Sequence, residues 1–217
     1  MSDVAESLRA IGGPFDIILA DPPWKFASNS AKKPGKNAMA HYDCMPRAEI
    51  DALPVKEIAA KDALLLMWVT VPFLEQAFTT ARSWGFKYVS EIMWKKDRIG
   101  TGFWVRNKHE VVLVCKRGRF PCPKRAPFPD SVIDGQQRQH SRKPDRLHEM
   151  VNDVEDWRDL RKLEMFARES REGWTTWGNQ TEKFDGPKAL GADATCPVDL
   201  DLDDLLGPDP EIEDLLA

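Results

Sequence analysis

"FDIILADPPW", residues 15–24, joins an apolar run to an acid, two prolines and an indole. The run from Phe15 to Ala20 reads as a strand buried on both faces. Pro22 and Pro23 end it, because neither has an N–H to continue a ladder and both fix φ. In open α/β sheets ligands bind beyond the carboxyl ends of the strands, and Asp21 falls at such an end. A carboxylate beside a proline-fixed carbonyl offers two preset hydrogen-bond acceptors. Such a pair suits the two N–H bonds of an exocyclic aromatic amine, whose lone pair is freed from its ring by pyramidalisation. On this reading Asp21 is acceptor and proton sink, Pro22 supplies a carbonyl and Pro23 stiffens the turn. Trp24 is a plate on which a base taken out of its stack can lie. An Asp-Pro-Pro turn capped by a packed Trp satisfies the same four letters, so the tetrad alone leaves both readings open.

Downstream the pattern alternates. "ALLLMWV" (63–69), "KYVSEIMW" (87–94), "HEVVLVCKRG" (109–118), "RKLEMFA" (161–167) and "GWTTWGN" (173–179) read as strands. "PFLEQAFTTARSWGF" (72–86) reads as a helix with Pro72 in its first turn and Gly85 at its end. "RAEIDALPV" suggests a short helix and "KPDRLHEMVNDV" (143–154) another. Apolar strands separated by helices predict an α/β sheet covered on both faces. Between Trp24 and the first short helix lies a polar, irregular stretch longer than most connections in compact domains, a length associated with functional loops.

Charge is unevenly spread over the 217 residues: the whole chain carries −4, yet residues 191–217 hold nine acids and no Lys or Arg. Residues 1–190 therefore hold 31 basic against 26 acidic residues, and 95–146 alone hold 14 against 5. Such a segment fits either a solvated face or a surface for a phosphate backbone. The reading is a catalytic domain over 1–190 and an acidic, disordered tail over 191–217. Cys44, Cys115, Cys122 and Cys196 form no CxxC pair, so free thiols in a reducing, cytoplasmic setting are expected and no metal site. No apolar run approaches the ~18 residues of a membrane span.

The tetrad in this setting resembles the MT-A70 family of adenine-N(6) methyltransferases, whose active-site motif is Asp-Pro-Pro-Trp. "HYDCM", "LLLMWVT", "WGFKYVSEIMWKK", "TGFWVRNKHEVVLVCKRG", "SRKPD", "RKLEMFAR" and "WTTWGNQ" carry the resemblance in order, from about Asp3 to Gln180. It implies a Rossmann-like α/β sheet that uses S-adenosyl-L-methionine. Only 20 residues precede Asp21, fewer than the roughly 30 of a βαβ unit. The order is therefore permuted, with the catalytic motif before the main cofactor-binding half. The resemblance assigns the cofactor to Asp3, Val4, Asp21, Lys143, Glu164, Phe166, Arg168, Asn179 and Gln180. To the acceptor it assigns Tyr42, Trp104, Asn107 and Glu110. Ser170 and Arg171 stand where many members have a His-Asn pair against ribose, and no role carries over to them.

The activity implied is methyl transfer to N-6 of adenine in nucleic acid. DNA is preferred because the chain is a bare catalytic unit, as in bacterial and phage members. RNA adenosine is the runner-up and cytosine-N(4) a weaker rival. A catalytically silent nucleic-acid-binding partner subunit is the alternative from another class, disfavoured by the intact tetrad. No membrane partner is expected, and a monomer and a homodimer are both open.

Overall fold

The computed structural model of the protein describes residues 2–24, 45–100, 104–125, 129–138 and 142–185. Along them run α1 (Ser2–Ala10), β1 (Phe15–Ala20), α2 (Arg47–Asp51), α3 (Val55–Ile58), β2 (Ala59–Val69), α4 (Leu74–Ser83), β3 (Lys87–Lys96), β4 (His109–Arg117), β5 (Val132–Gly135), α5 (Arg146–Asp153), β6 (Lys162–Met165) and β7 (Trp174–Trp177). The strands form one sheet in the order β5-β3-β4-β2-β1-β6-β7.

β1 pairs in parallel with β2 on one side and β6 on the other. β4 is antiparallel to both β2 and β3, while β3–β5 and β6–β7 are parallel. One strand in seven therefore runs against the rest. From β1 the chain builds outward through β2, then returns to β1's other side for β6 and builds outward to β7. Connections diverge between β1 and β6, and the crevice above that point is where open α/β sheets bind ligands. This is the Rossmann-like sheet in permuted order, with the β1 motif ahead of β6 and β7.

Period-two alternation decides what each face buries. Ile18, Ala20, Leu65, Met67 and Val69 pack with Leu8 of α1, Ile50 of α2, Val55 of α3 and Ala77 of α4. Ile17, Leu19, Leu64, Leu66 and Trp68 pack with Leu147, Met150 and Val151 of α5 and with Trp157. The expected two-faced burial is what the chain adopts.

Three local features differ from the sequence reading. Residues 2–10 form a helix whose Leu8 is fully buried. The helix expected over 72–86 splits into a 3-10 turn, Val71–Phe73, and α4. Gly85, at φ +85°, ends α4: its N–H donates to Arg82 O and the N–H of Phe86 to Ala81 O, the paired bonds of a Schellman stop. Finally β5, with Ile133 as its one buried residue, is too short to show a period.

Candidate active site

Asp21 stands at the carboxyl end of β1, and its backbone N–H reaches Met165 O at the end of β6 (3.4 Å). The turn after it is tight. Trp24 N–H donates to Pro22 O (2.8 Å) and Met45 N–H to Pro23 O (3.0 Å). Pro22's carbonyl thus has one lone pair engaged and a second left. Trp24 differs from the open plate expected. Its ring stacks on Phe73 (5.7 Å between centroids, 17° between planes), its Nε1 donates to Trp68 O, and only 6% of it is exposed. The apolar pocket between β1 and the Val71–Phe73 turn claims the indole, which therefore pins the tetrad's turn.

A chain of alternating charges crosses the carboxyl edge of the sheet. Lys143 Nζ lies 3.1 Å from Asp21 Oδ1 and 3.1 Å from Glu110 Oε2. Lys96 Nζ lies 2.6 Å from Glu110 Oε1. Glu110 enters this edge because β4 runs backwards, which puts its first residues level with the last residues of its neighbours. Burial pushes the Asp21 carboxyl up, Lys143 pulls it down and Glu110 pushes it up again, for a net upward shift. At Glu110 burial also pushes up, but Lys143 and Lys96 outweigh it and the net shift is down. Lys143 is held above its ordinary value, its burial outweighed by the two acids.

Beyond β6 the chain turns sharply at Phe166, φ +61°, and Gly178 closes over that turn. A Cβ on Gly178 would stand 3.0 Å from both the N and O of Ala167, so no larger residue fits there without a shift. A recess of about 40 Å³ opens between Leu19, Asp21, Trp68, Lys143, Glu164, Phe166 and Arg168. Glu164 Oε2 is 2.8 Å from His148 Nε2. Ion pairs cross the recess: Arg142 with Glu169 (2.7 Å), Arg171 with Glu169 (2.9 Å) and with Asp145 (2.6 Å). The Nε of Arg142 and of Arg171 are buried without a hydrogen bond. Among the described residues no group of His, Cys, Asp and Glu is placed to hold a metal.

The structure brings Asp21, Lys143, Glu110, Glu164, Phe166 and Arg168 to one crevice. Asp3 and Val4 lie exposed in the first turn of α1. Ser7, one turn on, accepts from Nε1 of Trp177, the last residue of β7, so this end of α1 lies at the same edge. Asn179 and Gln180 line a separate open hollow of about 450 Å³ with Thr181, Glu182 and Lys183. That hollow is larger, but the charged chemistry sits in the narrow recess. Trp104 is 97% exposed on the β3–β4 connection and Asn107 is half-buried there. Tyr42 lies outside the described residues, as does the tail over 191–217.

Sequence reading missed Lys96, although a signal existed. Ile92, Trp94 and Lys96 alternate, and the first two are buried, so period two places Lys96 on the buried face. Arg142, His148 and Glu169 were also missed, because only the fold brings them together.

One family model and three relatives bear on this site. A protein-family model described as MT-A70 matches residues 15–180. "Type II methyltransferase M.MunI" of Mycoplasma sp is 29% identical over 180 residues, 76% of this chain and 76% of its own length. "Probable N(6)-adenosine-methyltransferase MT-A70-like" of Oryza sativa subsp. japonica is 33% identical over 188 residues, 82% of this chain but 24% of its own. "N(6)-adenine-specific methyltransferase METTL4" of Homo sapiens is 29% identical over 191 residues, covering 78% of this chain and 38% of its own. The match thus spans most of the bacterial relative and well under half of the plant and human ones.

Proposed function

The chain belongs to the MT-A70 family, and from that premise we propose that it methylates the exocyclic N-6 amine of adenine in nucleic acid, using S-adenosyl-L-methionine. The Asp21 carboxylate carries this reading: it stands at the diverging end of β1, with Oδ1 anchored by the half-buried Lys143. Oδ2 is then the acceptor for one amine N–H, and the second lone pair of Pro22 O accepts the other. As the new N–C bond forms, the amine must lose a proton. Asp21, its carboxyl pushed up from the ordinary range, is a better base for it than an exposed Asp. Glu110 and Lys143 hold Asp21 in place, and Trp24 holds the turn on which both acceptors ride.

The recess suits the cofactor in its chemistry. Glu164, beside His148, faces it with acceptors for ribose hydroxyls, and Lys143 with a cation for a carboxylate. The buried, unbonded Nε groups of Arg142 and Arg171 are donors awaiting acceptors. Bound there, S-adenosyl-L-methionine would supply a methyl carbon activated by its sulfonium. At about 40 Å³ the recess is narrow, so the Arg142–Glu169–Arg171 pairs have to part to admit it. Asp3, Val4, Phe166, Arg168, Asn179 and Gln180 complete the proposed cofactor set, with Tyr42, Trp104 and Asn107 on the acceptor side. Residues 1–190 are the proposed catalytic domain.

DNA is the favoured polymer, because a relative that matches this chain evenly in both directions is named a type II methyltransferase. RNA adenosine is the second reading, favoured by the adenosine named in the plant relative. Calorimetry with S-adenosyl-L-methionine separates an enzyme from a silent partner subunit: binding is expected, and no heat at high protein concentration would sink the enzyme reading.

A further inference from the structure

Cross-strand partners Trp94 and Glu110 point to one face of the sheet, and Lys96, two residues past Trp94, shares it. Lys143, just ahead of α5, reaches the same place from the layer above. The result is a row, Lys96–Glu110–Lys143–Asp21, with spacings of 2.6, 3.1 and 3.1 Å. Its formal charge is zero. Without Lys96 the row has two carboxylates competing for one ammonium. Glu110 would then draw Lys143 toward itself, and that loosens Asp21 Oδ1.

From this geometry we infer that Lys96 is a positioning residue for the methyl transfer. It occupies Glu110 Oε1, so that Lys143 bridges Glu110 Oε2 and Asp21 Oδ1 and leaves Asp21 Oδ2 to face the amine. The role rests on Asp21 acting as the base, the function proposed above. A contact to the phosphate backbone is the competing role for a lysine in a basic segment. Burial speaks against it: the Lys96 side chain is 12% exposed, against 61% for its neighbour Lys95. Lys96 Nζ also lies over the Trp94 ring, 5.2 Å from its centroid, which fixes the side chain along the sheet. The charged groups acting on the pair are Lys96 and Lys143 at Glu110, and Lys143, Glu110 and Arg168 at Asp21.

The test compares wild type, Lys96→Met and Lys96→Arg in pH–rate profiles, in nucleic-acid KM, and in carboxyl NMR titrations of Asp21 and Glu110. Removing a cation raises both carboxyls. In Lys96→Met the acidic limb is therefore expected to move up by about one pH unit, which is about tenfold in rate on its acid side. Nucleic-acid KM is expected to stay put, and Lys96→Arg to restore the profile. Unmoved carboxyl titrations would overturn the role, as would a loss confined to nucleic-acid KM that fades at high salt. The titrations need no turnover, so an inactive wild type would overturn the proposed activity and still leave them to decide Lys96. Should Lys96→Met lose its cooperative melt, Lys96→Gln, which keeps a donor without the charge, gives the same readouts.

Discussion

Asp21 has one oxygen held by an ammonium and a carboxyl pushed upward by burial, a combination suited to receiving a proton. Only its ionised form takes a proton from the amine, and its folded value lies above the ordinary aspartate value of about 3.9. Activity should therefore be full above that raised value and fall as pH drops through it. Asp21→Asn should erase this limb and lower kcat by at least about 10²-fold, with the melting curve retained. Rate profiles from pH 4 to 8 check both, and an unchanged limb in the variant would remove Asp21 as the base. Motif order singled out Asp21, Glu110 and Lys143 in the sequence, but not their pairing: Glu110, expected on the acceptor side, lies between Lys96 and Lys143, and Lys143, expected to face the cofactor, also pairs with Asp21. Trp24 was legible as part of the motif but not in its task. Whether an indole faces solvent or stacks on Phe73 depends on a turn fifty residues away, and no local pattern encodes it.

At the scale of elements, the apolar strands declared themselves because burial on both faces leaves an unbroken hydrophobic run. α1 and β5 did not: one is a polar helix with a single fully buried residue, Leu8, and the other is four residues long. The turn after β4 makes a sharp test of how the sheet closes. Gly118 takes φ +62°, and a Cβ there would lie 2.5 Å from Lys61 O and still closer to Asp62 Oδ1. Gly118→Ala is therefore expected to cost more than about 1 kcal/mol in urea melts. No loss would mean the turn is looser than drawn. Asp145, just before α5, is opposed by its own burial, but Arg138 and Arg171 outweigh that and hold its carboxyl well below the usual range. A depressed folded value contributes stability above the unfolded value, about 3.9, that is lost as pH falls through the folded one. Asp145→Asn should thus cost about 1–2 kcal/mol at pH 7, discounted for its partial exposure, and the gap should start to narrow only below about pH 4 and be much smaller by about pH 2. Melts at the two pH values decide it.

Over the whole molecule the basic segment turns out to be divided. Lys95, Arg98, Arg106 and Lys108 lie exposed at the site edge, on or beside the β3–β4 connection. Lys116, Arg117 and Arg119 lie at the opposite end of β4, and Lys96 and Lys143 are consumed by ion pairs. Sequence alone counted one cluster, because position along a strand says nothing about which edge its ends reach. Four phosphate contacts at the site edge would give a slope of about −3 to −4 for log affinity against log salt. A slope of about −5 to −6, as for seven contacts, would place the other edge on nucleic acid too. No helix among the described residues is long and apolar enough to cross a membrane. The central claim, Asp21-dependent methylation of adenine N-6, is tested most directly with labelled S-adenosyl-L-methionine. Matched DNA and RNA oligonucleotides, single- and double-stranded, are treated with wild type and with Asp21→Ala, then digested to nucleosides. Label in N6-methyladenine with wild type, and none with Asp21→Ala, is the expected result. Label on cytosine, or equal label with both proteins, would contradict it.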